Sequence, residues 1–360
     1  MKIKRLGLKN YRNCEDTEIS FPTRKTLIIG KNAQGKTNIL ESIYFLSDLK
    51  SPRTSAISDL IRFDQNQFEI SAEINKNDTD IELDYLYTID KKRELKINKV
   101  KTSPKNFKLV VTTVLFSTKD MLLLRGTPED RRNWLDRAIS QIYPAYDERL
   151  SKYDKIRVQK NNLLKNEVID EALLDIYNDQ LAITGANIIY LRKKFLREIE
   201  KIASQKHRVI SESEVFEVNY TCPEDEVEDI LQYFKQQLGE RRGEEIARRQ
   251  SCVGPHRDDI EFKINGADAT KFASQGQQRT LVLSLKLSEL EIIKEKTGYY
   301  PILLLDDVLA ELDDKRQNYL LKSIDENTQT IITSVDTLLF EQEFLKDVTI
   351  YNIKDGSIAE

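Results

Sequence analysis

A loop near the beginning of the chain, residues 30–37, has the residue types and spacing of a phosphate-binding site. It reads Gly-Lys-Asn-Ala-Gln-Gly-Lys-Thr, follows the apolar run "TLII" and opens a helical pattern. Its glycines permit the turn, and successive backbone N–H groups beside a helix N-terminus attract a phosphate tail. The Lys36 ammonium is expected to reach the β- and γ-phosphates, and the Thr37 hydroxyl to bind Mg²⁺. The residues predicted to contact the nucleotide are Gly30, Lys31, Asn32, Ala33, Gln34, Gly35, Lys36 and Thr37.

Two adjacent aspartates, Asp306 and Asp307, follow the apolar run "PILLL" and supply carboxylates. A short apolar run that ends in acids is typical of a buried parallel strand whose carboxyl end opens on a site. Asp306 is expected to hold Mg²⁺, directly or through water, and Asp307 to orient or deprotonate the attacking water. The structural alternative is that the pair caps the following turn.

A second helix start, "SQGQ" at residues 274–277, carries a hydroxyl, a glycine and two amides ahead of apolar positions that include Leu281 and Leu285. An isolated segment of this kind is most simply a helix cap. Helix N-termini also attract anions, but one triphosphate cannot occupy two of them on one subunit. The hypothesis is therefore that this segment contacts the γ-phosphate held by a second copy, so that nucleotide joins two subunits and hydrolysis releases them. Ser274 and Gly276 are assigned to this contact, within a nucleotide-binding segment that comprises Ser274, Gln275, Gly276 and Gln277. The predicted catalytic residues are Lys36, Asp307 and Ser274.

Strands in the first third of the chain and helices in the middle must position these residues. Residues 69–74 and 81–89 alternate apolar and polar side chains, as half-buried antiparallel strands do, and 107–116 indicates a more buried strand. From about 129 to 206 the pattern is helical, with one face predicted to contain Ile176, Leu181, Ile188 and Leu191. A further helical pattern covers 224–249, and strands return at 257–265.

From residue 280 onward, helical patterns alternate with apolar strands at 301–307 and 330–336. The predicted fold is α/β: a phosphate-loop ATPase head built from both chain ends, with an antiparallel β-subdomain, split by an inserted α-helical domain. The predicted domains are 1–120, the first part of the head with the phosphate loop; 121–250, a helical arm; and 251–360, the second part of the head.

The composition limits the classes of partner and location. The net charge is −4 over 360 residues, so the whole chain does not indicate a polyanion partner. Locally, Lys91–Lys108 holds eight basic residues against one acidic residue, and shorter basic clusters occur at Arg192–Arg197 and Arg241–Arg249. Each cluster alone is typical of a solvated face, but together they favour a nucleic-acid hypothesis.

Three separated cysteines argue against a disulfide framework or a zinc site. The lack of a signal peptide or a membrane-spanning run predicts a cytoplasmic protein.

An ordered series of motifs resembles the RecF family of recombination mediators, ABC-type ATPases related to the SMC and double-strand-break repair ATPases. The series is "LKNYRN", "GKNAQGKTN", "FSTKDMLLLRGTPEDRRNWLD", "VGPHRDD", "ASQGQQRT" and "LLLDDVLAELD". The resemblance implies an ABC-type head with a helical second domain, an ATP-dependent homodimer, and binding of DNA at single-strand gaps. It also implies action with RecR and RecO in loading the RecA recombinase, and roles in DNA repair, replication restart and the SOS response.

The resemblance carries further residue roles. The segment "ELDDKR" is similar to the D-loop that faces the dimer partner, with Asp313 as its acid, and Arg12 in "YRN" is expected to stack on adenine. Many ABC enzymes have a glutamate where this chain has Asp307, and often a histidine after the last core strand, where this chain has residues 333–335, Thr-Ser-Val. Poorer positioning of the attacking water then predicts slow turnover. The activity expected from the resemblance is that of a weak, DNA-stimulated ATPase that acts as a conformational switch.

Three other classes of phosphate-loop protein fit the sequence less well. A transporter subunit is expected to carry an LSGGQ-like signature and a switch histidine, and a chromosome-organising protein long heptad arms. A small-molecule kinase has no use for the second helix N-terminus at Ser274. His256 in "VGPHRDD" receives no role, since a lone histidine beside a proline is more often structural than catalytic.

Overall fold

Strands occupy both ends of the chain and helices its middle in the computed structural model, which describes residues 1–359. Numbered in chain order, the strands are β1 (Lys2–Tyr11), β2 (Cys14–Ser20), β3 (Lys25–Ile29), β4 (Gln67–Lys76), β5 (Thr79–Thr88), β6 (Arg93–Ile97), β7 (Val100–Lys101), β8 (Thr113–Ser117), β9 (Phe216–Tyr220), β10 (Ile260–Ile264), β11 (Ala267–Asp268), β12 (Ile302–Asp306), β13 (Thr330–Ser334), β14 (Val348–Lys354) and β15 (Ser357–Ala359). The α-helices are α1 (Lys36–Asp48), α2 (Pro104–Lys108), α3 (Leu122–Arg125), α4 (Pro128–Ile142), α5 (Tyr146–Leu163), α6 (Glu171–Ser211), α7 (Val227–Glu240), α8 (Arg242–Arg248), α9 (Ala269–Phe272), α10 (Gln275–Thr297), α11 (Asp314–Ser323) and α12 (Gln342–Leu345).

The first of two units comprises residues 1–120 and 289–360 and holds two six-stranded sheets. One sheet is antiparallel in the order β2-β1-β4-β5-β6-β7, and the other runs β15-β14-β3-β13-β12-β8 with a parallel centre. Strands from both chain ends therefore lie side by side, which confirms the predicted α/β head with an antiparallel β-subdomain. Residues of β3, β8, β12 and β13 are nearly all buried, as in a parallel sheet that is covered on both faces.

Helix α1 packs between these two sheets of the first unit. Its residues Ile39, Ile43 and Phe45 are fully buried in one cluster with residues of β1, β12 and β13. Burial of each such side chain stabilises the fold by roughly 1.5–3 kcal/mol. A helix held this firmly gives the loop at its N-terminus a rigid base.

The second unit comprises residues 121–288 and contains the helices α3 to α9, the start of α10 and a three-stranded sheet in the order β11-β10-β9. Helix α6 is 41 residues long and packs against α5, α7 and β9. The segment 251–288, assigned from sequence to the head, groups with this unit, because β10 pairs antiparallel with β9 and α9 packs on β10. No helix within residues 1–359 has the length and apolarity to cross a bilayer.

Several local predictions needed correction. Residues 107–116 are not one strand, because Ser103 caps a short helix that ends at Lys108, and β8 begins only at Thr113. Ile89 lies beyond the end of β5 and is 58% exposed. On α6, Leu181 and Ile188 are buried as predicted, whereas Ile176 is 52% exposed.

Candidate nucleotide site

The loop at residues 30–35 joins β3 to α1 and bends through left-handed backbone conformations. Gly35, with φ of 106°, directly precedes α1, and no side chain caps the N–H groups of the first turn of this helix. Uncapped donors at a rigid helix N-terminus are suited to an anion. The Lys36 side chain folds back over the loop, where Nζ donates to the carbonyl oxygens of Gly30 at 2.7 Å and Lys31 at 3.3 Å. To reach a phosphate, the ammonium has to exchange these carbonyls for phosphate oxygens.

A cavity of about 450 Å³ lies in front of the loop. This volume falls within the roughly 300–1,000 Å³ range of small-molecule sites. Eight of its ten lining residues have polar or charged side chains, which suits a charged ligand. The lining residues are Asn13, Asn32, Ala33, Gln34, Gly35, Lys36, Thr37, Asn38, Arg53 and Asp307.

Sequence reasoning missed three of the lining residues, Asn13, Asn38 and Arg53. The Asn38 Nδ2 donates to Asn13 Oδ1 at 2.7 Å, and the Arg53 guanidinium donates to Asn38 Oδ1 at 2.6 Å. The available signal for Asn13 was its place beside Arg12 in "YRN". Arg53 stands in a segment without regular pattern, so nothing local indicated it.

Two threonines meet at Asp306, at the carboxyl ends of β12 and β13. The hydroxyls of Thr37 and Thr333 both donate to Asp306 Oδ1 at 2.9 Å. Burial raises the pKa of the Asp306 carboxyl, and the two hydroxyl donors oppose that shift by stabilising the charged form. The parallel register brings β3, β12 and β13 to one edge, which explains how residues about 270 positions apart meet.

Asp307, directly after Asp306, lines the cavity with a left-handed backbone conformation, φ 51°. Its backbone N–H donates to the Thr333 hydroxyl at 2.9 Å, so the same threonine orders both aspartates. A non-glycine residue in this conformation is uncommon and is found where the surroundings hold the backbone firmly. Of the stretch 333–335, which was compared above with a histidine position, Ser334 is buried at the end of β13 and Val335 is 53% exposed.

The residues at this edge fit Mg²⁺. Thr37 and Asp306 offer a hydroxyl and a carboxylate, and hard oxygen ligands are those that Mg²⁺ prefers. Within the described part of the chain, no group of three or more His, Cys, Asp or Glu side chains could form a metal cage. A magnesium site with few protein ligands, completed by substrate phosphates, is the usual arrangement for this ion.

Arg12 is anchored beside the cavity by a buried carboxylate. Its Nε and one terminal nitrogen donate to Glu41 at 3.0 and 2.8 Å, and the other terminal nitrogen donates to the Asp59 carbonyl at 3.0 Å. Glu41 also accepts from Arg53 at 3.4 Å and from Ser51 at 2.5 Å. Because the edges of the Arg12 guanidinium are occupied, stacking on adenine, which stays a prediction, would use its flat face.

The segment at residues 274–277 forms the N-terminus of α10 within the second unit. The Ser274 hydroxyl accepts from the Gln277 N–H at 3.2 Å, and the Gln277 side chain accepts from the Ser274 N–H at 2.8 Å. This reciprocal pair is a capping box, the simple alternative considered from sequence. The Gln277 amide also donates to Glu214 at 2.7 Å, which anchors the segment to the connection between α6 and β9. Gln275 and Gly276 lie in the first turn of α10.

Asp313 caps α11 in the first unit. Its carboxylate accepts from the Arg316 N–H at 2.9 Å and pairs with the Arg316 guanidinium. The side chain of Asp313 is 55% exposed, so a partner subunit has access to it. Its assignment as a dimer-facing acid remains a prediction.

Two residues of a predicted basic cluster, Arg192 and Lys193, bind groups inside the fold. Arg192 is buried on α6, with its guanidinium bonded to Asp136 at 2.8 Å through two nitrogens. Lys193 donates to the carbonyl oxygens of Cys222 and Glu224. The prediction that Arg192–Arg197 forms a DNA-facing cluster is therefore wrong for these two residues, because both cations already satisfy acceptors inside the unit.

The Lys91–Lys108 cluster is solvent-exposed. Side chains of Lys92, Lys99 and Lys101 are 77–83% exposed. They make only surface ion pairs with Asp90, Glu82 and Glu94, which contribute little in water. These lysines remain available to an anionic partner.

His256 lies in a polar part of the second unit. Its Nδ1 is 2.8 Å from the Tyr153 hydroxyl, and Nε2 is 3.3 Å from the Ser251 carbonyl. Burial, with nearby arginines contributing less, lowers the pKa of His256 to about 3. A histidine that stays neutral between two partners of its own unit is a structural one.

Comparison with known proteins places these features in context. A family model described as the RecF/RecN/SMC N-terminal domain matches residues 2–358. The chain is 40% identical to the DNA replication and repair protein RecF of Streptococcus agalactiae serotype V, covering 100% of this chain and 98% of the relative. The protein of the same name from Bacillus cereus strain G9842 is 39% identical, covering 99% and 98%.

Solved structures give the same picture. The recombination mediator protein RecF-ATP in the RecFOR pathway superimposes with a TM-score of 0.92 at 35% identity, covering 99% of this chain and 96% of that chain. An SMC head bound to the C-terminal winged-helix domain of ScpA superimposes with a TM-score of 0.59 at 15% identity, covering 99% and 96%. At that identity, the second likeness concerns the fold alone.

Proposed function

The chain belongs to the RecF/RecN/SMC N-terminal domain family, and from this premise we propose that it is an ATP-dependent DNA-binding protein of DNA repair. ATP assembles its homodimer, and slow hydrolysis releases it. The observation that carries the proposal is the meeting of Thr37 with Asp306 beside the loop cavity. Relatives described as DNA replication and repair proteins, and a similar solved structure described as RecF-ATP, support the repair role and the choice of nucleotide.

The loop holds the triphosphate through the N–H groups at the start of α1, and Lys36 exchanges its carbonyl partners for phosphate oxygens. Thr37 and Asp306 would hold Mg²⁺, which would supply positive charge against the phosphates during hydrolysis. Asp307 accepts a hydrogen bond from the attacking water and takes its proton. The aspartate carboxyl reaches one methylene less far than glutamate, so the water is held less well and turnover is slow.

In the proposed dimer, the start of α10 binds the nucleotide that the second copy holds. Ser274 and Gly276 contact the γ-phosphate in the pocket of the second copy, and Asp313 faces the dimer partner. A hydroxyl that accepts one hydrogen bond, as Ser274 does from Gln277, still has a proton to donate to a phosphate oxygen. Loss of the γ-phosphate removes this acceptor, so the ADP form separates.

DNA binds mainly through phosphate neutralisation by the exposed lysines of the Lys91–Lys108 cluster. We place this action at single-strand gaps, with RecR and RecO as partners and RecA loading as the outcome, in repair, replication restart and SOS induction. The support is the description of a similar structure as the RecF mediator of the RecFOR pathway.

Sedimentation velocity tests the proposal directly. The protein is expected to dimerise with Mg²⁺-ATP and to stay monomeric with ADP or without nucleotide. Lys36→Met is expected to remain monomeric, whereas Lys50→Met, which removes an exposed ammonium just after α1, dimerises like the parent chain. If the protein sediments as a monomer at saturating Mg²⁺-ATP in the presence of gapped duplex DNA, the proposal is overturned.

A further inference from the structure

The turn between β14 and β15 contacts the phosphate loop at Gln34. The Gln34 carbonyl accepts hydrogen bonds from the Gly356 N–H at 2.8 Å and from Asn13 Nδ2 at 3.2 Å. The Gln34 side-chain oxygen accepts from the Asp355 N–H at 2.8 Å. One loop residue is therefore held by three donors, two of which come from a turn more than 320 positions away in sequence.

The turn is itself fixed in place. The Thr17 hydroxyl donates to the Gly356 carbonyl at 2.7 Å, and Gly356 has a left-handed φ of 81°. A Cβ on Gly356 would lie 2.5 Å from the Asn13 carbonyl oxygen, so only glycine allows this approach. The hairpin meets the loop at a second point, because a Cβ on Gly30 would lie 2.4 Å from the Ile353 carbonyl oxygen.

These contacts orient the peptide bond between Gln34 and Gly35. In a trans peptide the C=O and the N–H point in opposite directions. Since the carbonyl of Gln34 is directed at the hairpin, the N–H of Gly35 is directed away from the hairpin, and Gly35 is one of the residues that line the cavity. The reverse orientation would present a carbonyl oxygen to the phosphates, which would repel them.

We propose that the Asp355–Gly356 turn, together with Asn13, is a positioning device that holds the Gln34 peptide so that the Gly35 N–H faces the phosphates of the bound nucleotide. The inference rests on the proposed function, because it presumes that the loop binds ATP. None of these residues takes part in the chemical step. They act through Gly35, whose contact with the nucleotide exists before and during hydrolysis.

Two variants remove the device by different routes. Gly356→Ala places a Cβ against the Asn13 carbonyl and displaces the turn. Gln34→Leu keeps the approximate side-chain volume but removes the acceptor for the Asp355 N–H. Ser357→Ala is the matched control, since it changes an exposed side chain directly after the turn.

The first readout is steady-state ATP hydrolysis. Both variants are expected to raise KM for ATP by about tenfold, equivalent to one or two lost hydrogen bonds, with kcat within about twofold of the parent. A contact made equally in the ground and transition states affects KM alone. A merely structural role would instead reduce the amount of active protein, which lowers kcat and leaves KM unchanged.

The second readout does not depend on activity. In protein labelled with [¹⁵N]glycine, the amide signal of Gly35, assigned by its absence in Gly35→Ala, is expected to shift in both variants before ATP is added and to stay in place in Ser357→Ala. An unshifted Gly35 signal with parental KM in both variants overturns the inference. If thermal unfolding shows that Gly356→Ala is not folded, the result for Gln34→Leu decides the test. A parent chain that binds no ATP overturns the proposed function, a result distinct from either variant outcome.

Discussion

Ser274 and Gln277 are joined by two reciprocal hydrogen bonds that close the N-terminus of α10, at 3.2 Å from the Gln277 N–H to the Ser274 hydroxyl and 2.8 Å from the Ser274 N–H to the Gln277 side chain. The bonds hold the serine hydroxyl at the N-terminal end of α10. A capping role and a role in binding a second copy are therefore compatible, because the same hydroxyl accepts in the first and donates in the second.

Substitution at Ser274 separates the two roles. Ser274→Arg is expected to block ATP-driven dimerisation while the monomer still binds ATP. Ser274→Asp keeps a good helix cap but places a negative charge against the γ-phosphate. The dissociation constant of its ATP-bound dimer should therefore rise at least about 100-fold. Ser274→Ala is expected to lose about 1 kcal/mol of unfolding free energy. Sedimentation and chemical denaturation measure these effects, and a stable Ser274→Asp dimer would contradict the assigned γ-phosphate contact.

The pair formed by Thr37 and Asp306 predicts the effect of metal. Asp306→Asn keeps an acceptor for the Thr37 hydroxyl but removes the charge, so hydrolysis is expected to fall at least about 100-fold. Titration with a fluorescent ATP analogue should show that Mg²⁺ no longer increases affinity. With EDTA present, parent and variant should bind alike. A variant that retains the magnesium effect would argue that the ion sits elsewhere.

Asp307 is predicted to set the slow turnover. Asp307→Asn should leave ATP binding and dimerisation intact but reduce single-turnover hydrolysis at least about 100-fold, because the general base is lost. Asp307→Glu adds one methylene in the same left-handed backbone position and is expected to hydrolyse ATP faster than the parent. Equal hydrolysis rates for the parent chain and Asp307→Glu would mean that the length of this side chain does not cause the slow turnover.

The lowered pKa of His256 predicts that the protein loses stability in mild acid. Its pKa is lowered to about 3 in the fold, below the ordinary value of 6.5, so between these values only the unfolded chain takes up the proton. This contribution to stability is complete above the unfolded pKa and falls as pH decreases, by about 2 kcal/mol between pH 6.5 and 5. His256→Gln removes this slope from denaturation curves measured across that range. Parallel curves for the two proteins would mean that His256 titrates normally in the fold.

The exposed lysines on β7, α2 and the turn before β7 are predicted to contact DNA. The triple variant Lys99→Glu, Lys101→Glu and Lys105→Glu should weaken binding of gapped duplex and reduce the slope of log affinity against log salt by about 2 to 3. A control with the same change in net charge reverses three exposed lysines elsewhere on the first unit: Lys50, Lys322 and Lys346. If fluorescence anisotropy gives the same affinity for both triple variants, the cluster is not the DNA site.

Local sequence was sufficient for the elements that carry the nucleotide chemistry. The loop at 30–37, the acidic end of β12 and the polar start of α10 are each defined by residues within ten positions of one another. Turn, strand and helix preferences act over that range, so the loop between β3 and α1 and the strand that ends at Asp306 follow from spacing alone. The apolar runs at both chain ends also indicated one shared sheet, which the strand order confirms.

Only the tertiary structure decided which distant groups surround that chemistry. Nothing near Gln34 predicts that Asp355 and Gly356 bind it, and the basic pattern at Arg192 does not reveal that Asp136 neutralises it inside the fold. The physical reason is the same in both cases. A charged or polar side chain has the same local pattern whether water or a buried partner satisfies it, and the partner is chosen by the packing of elements far apart in the chain.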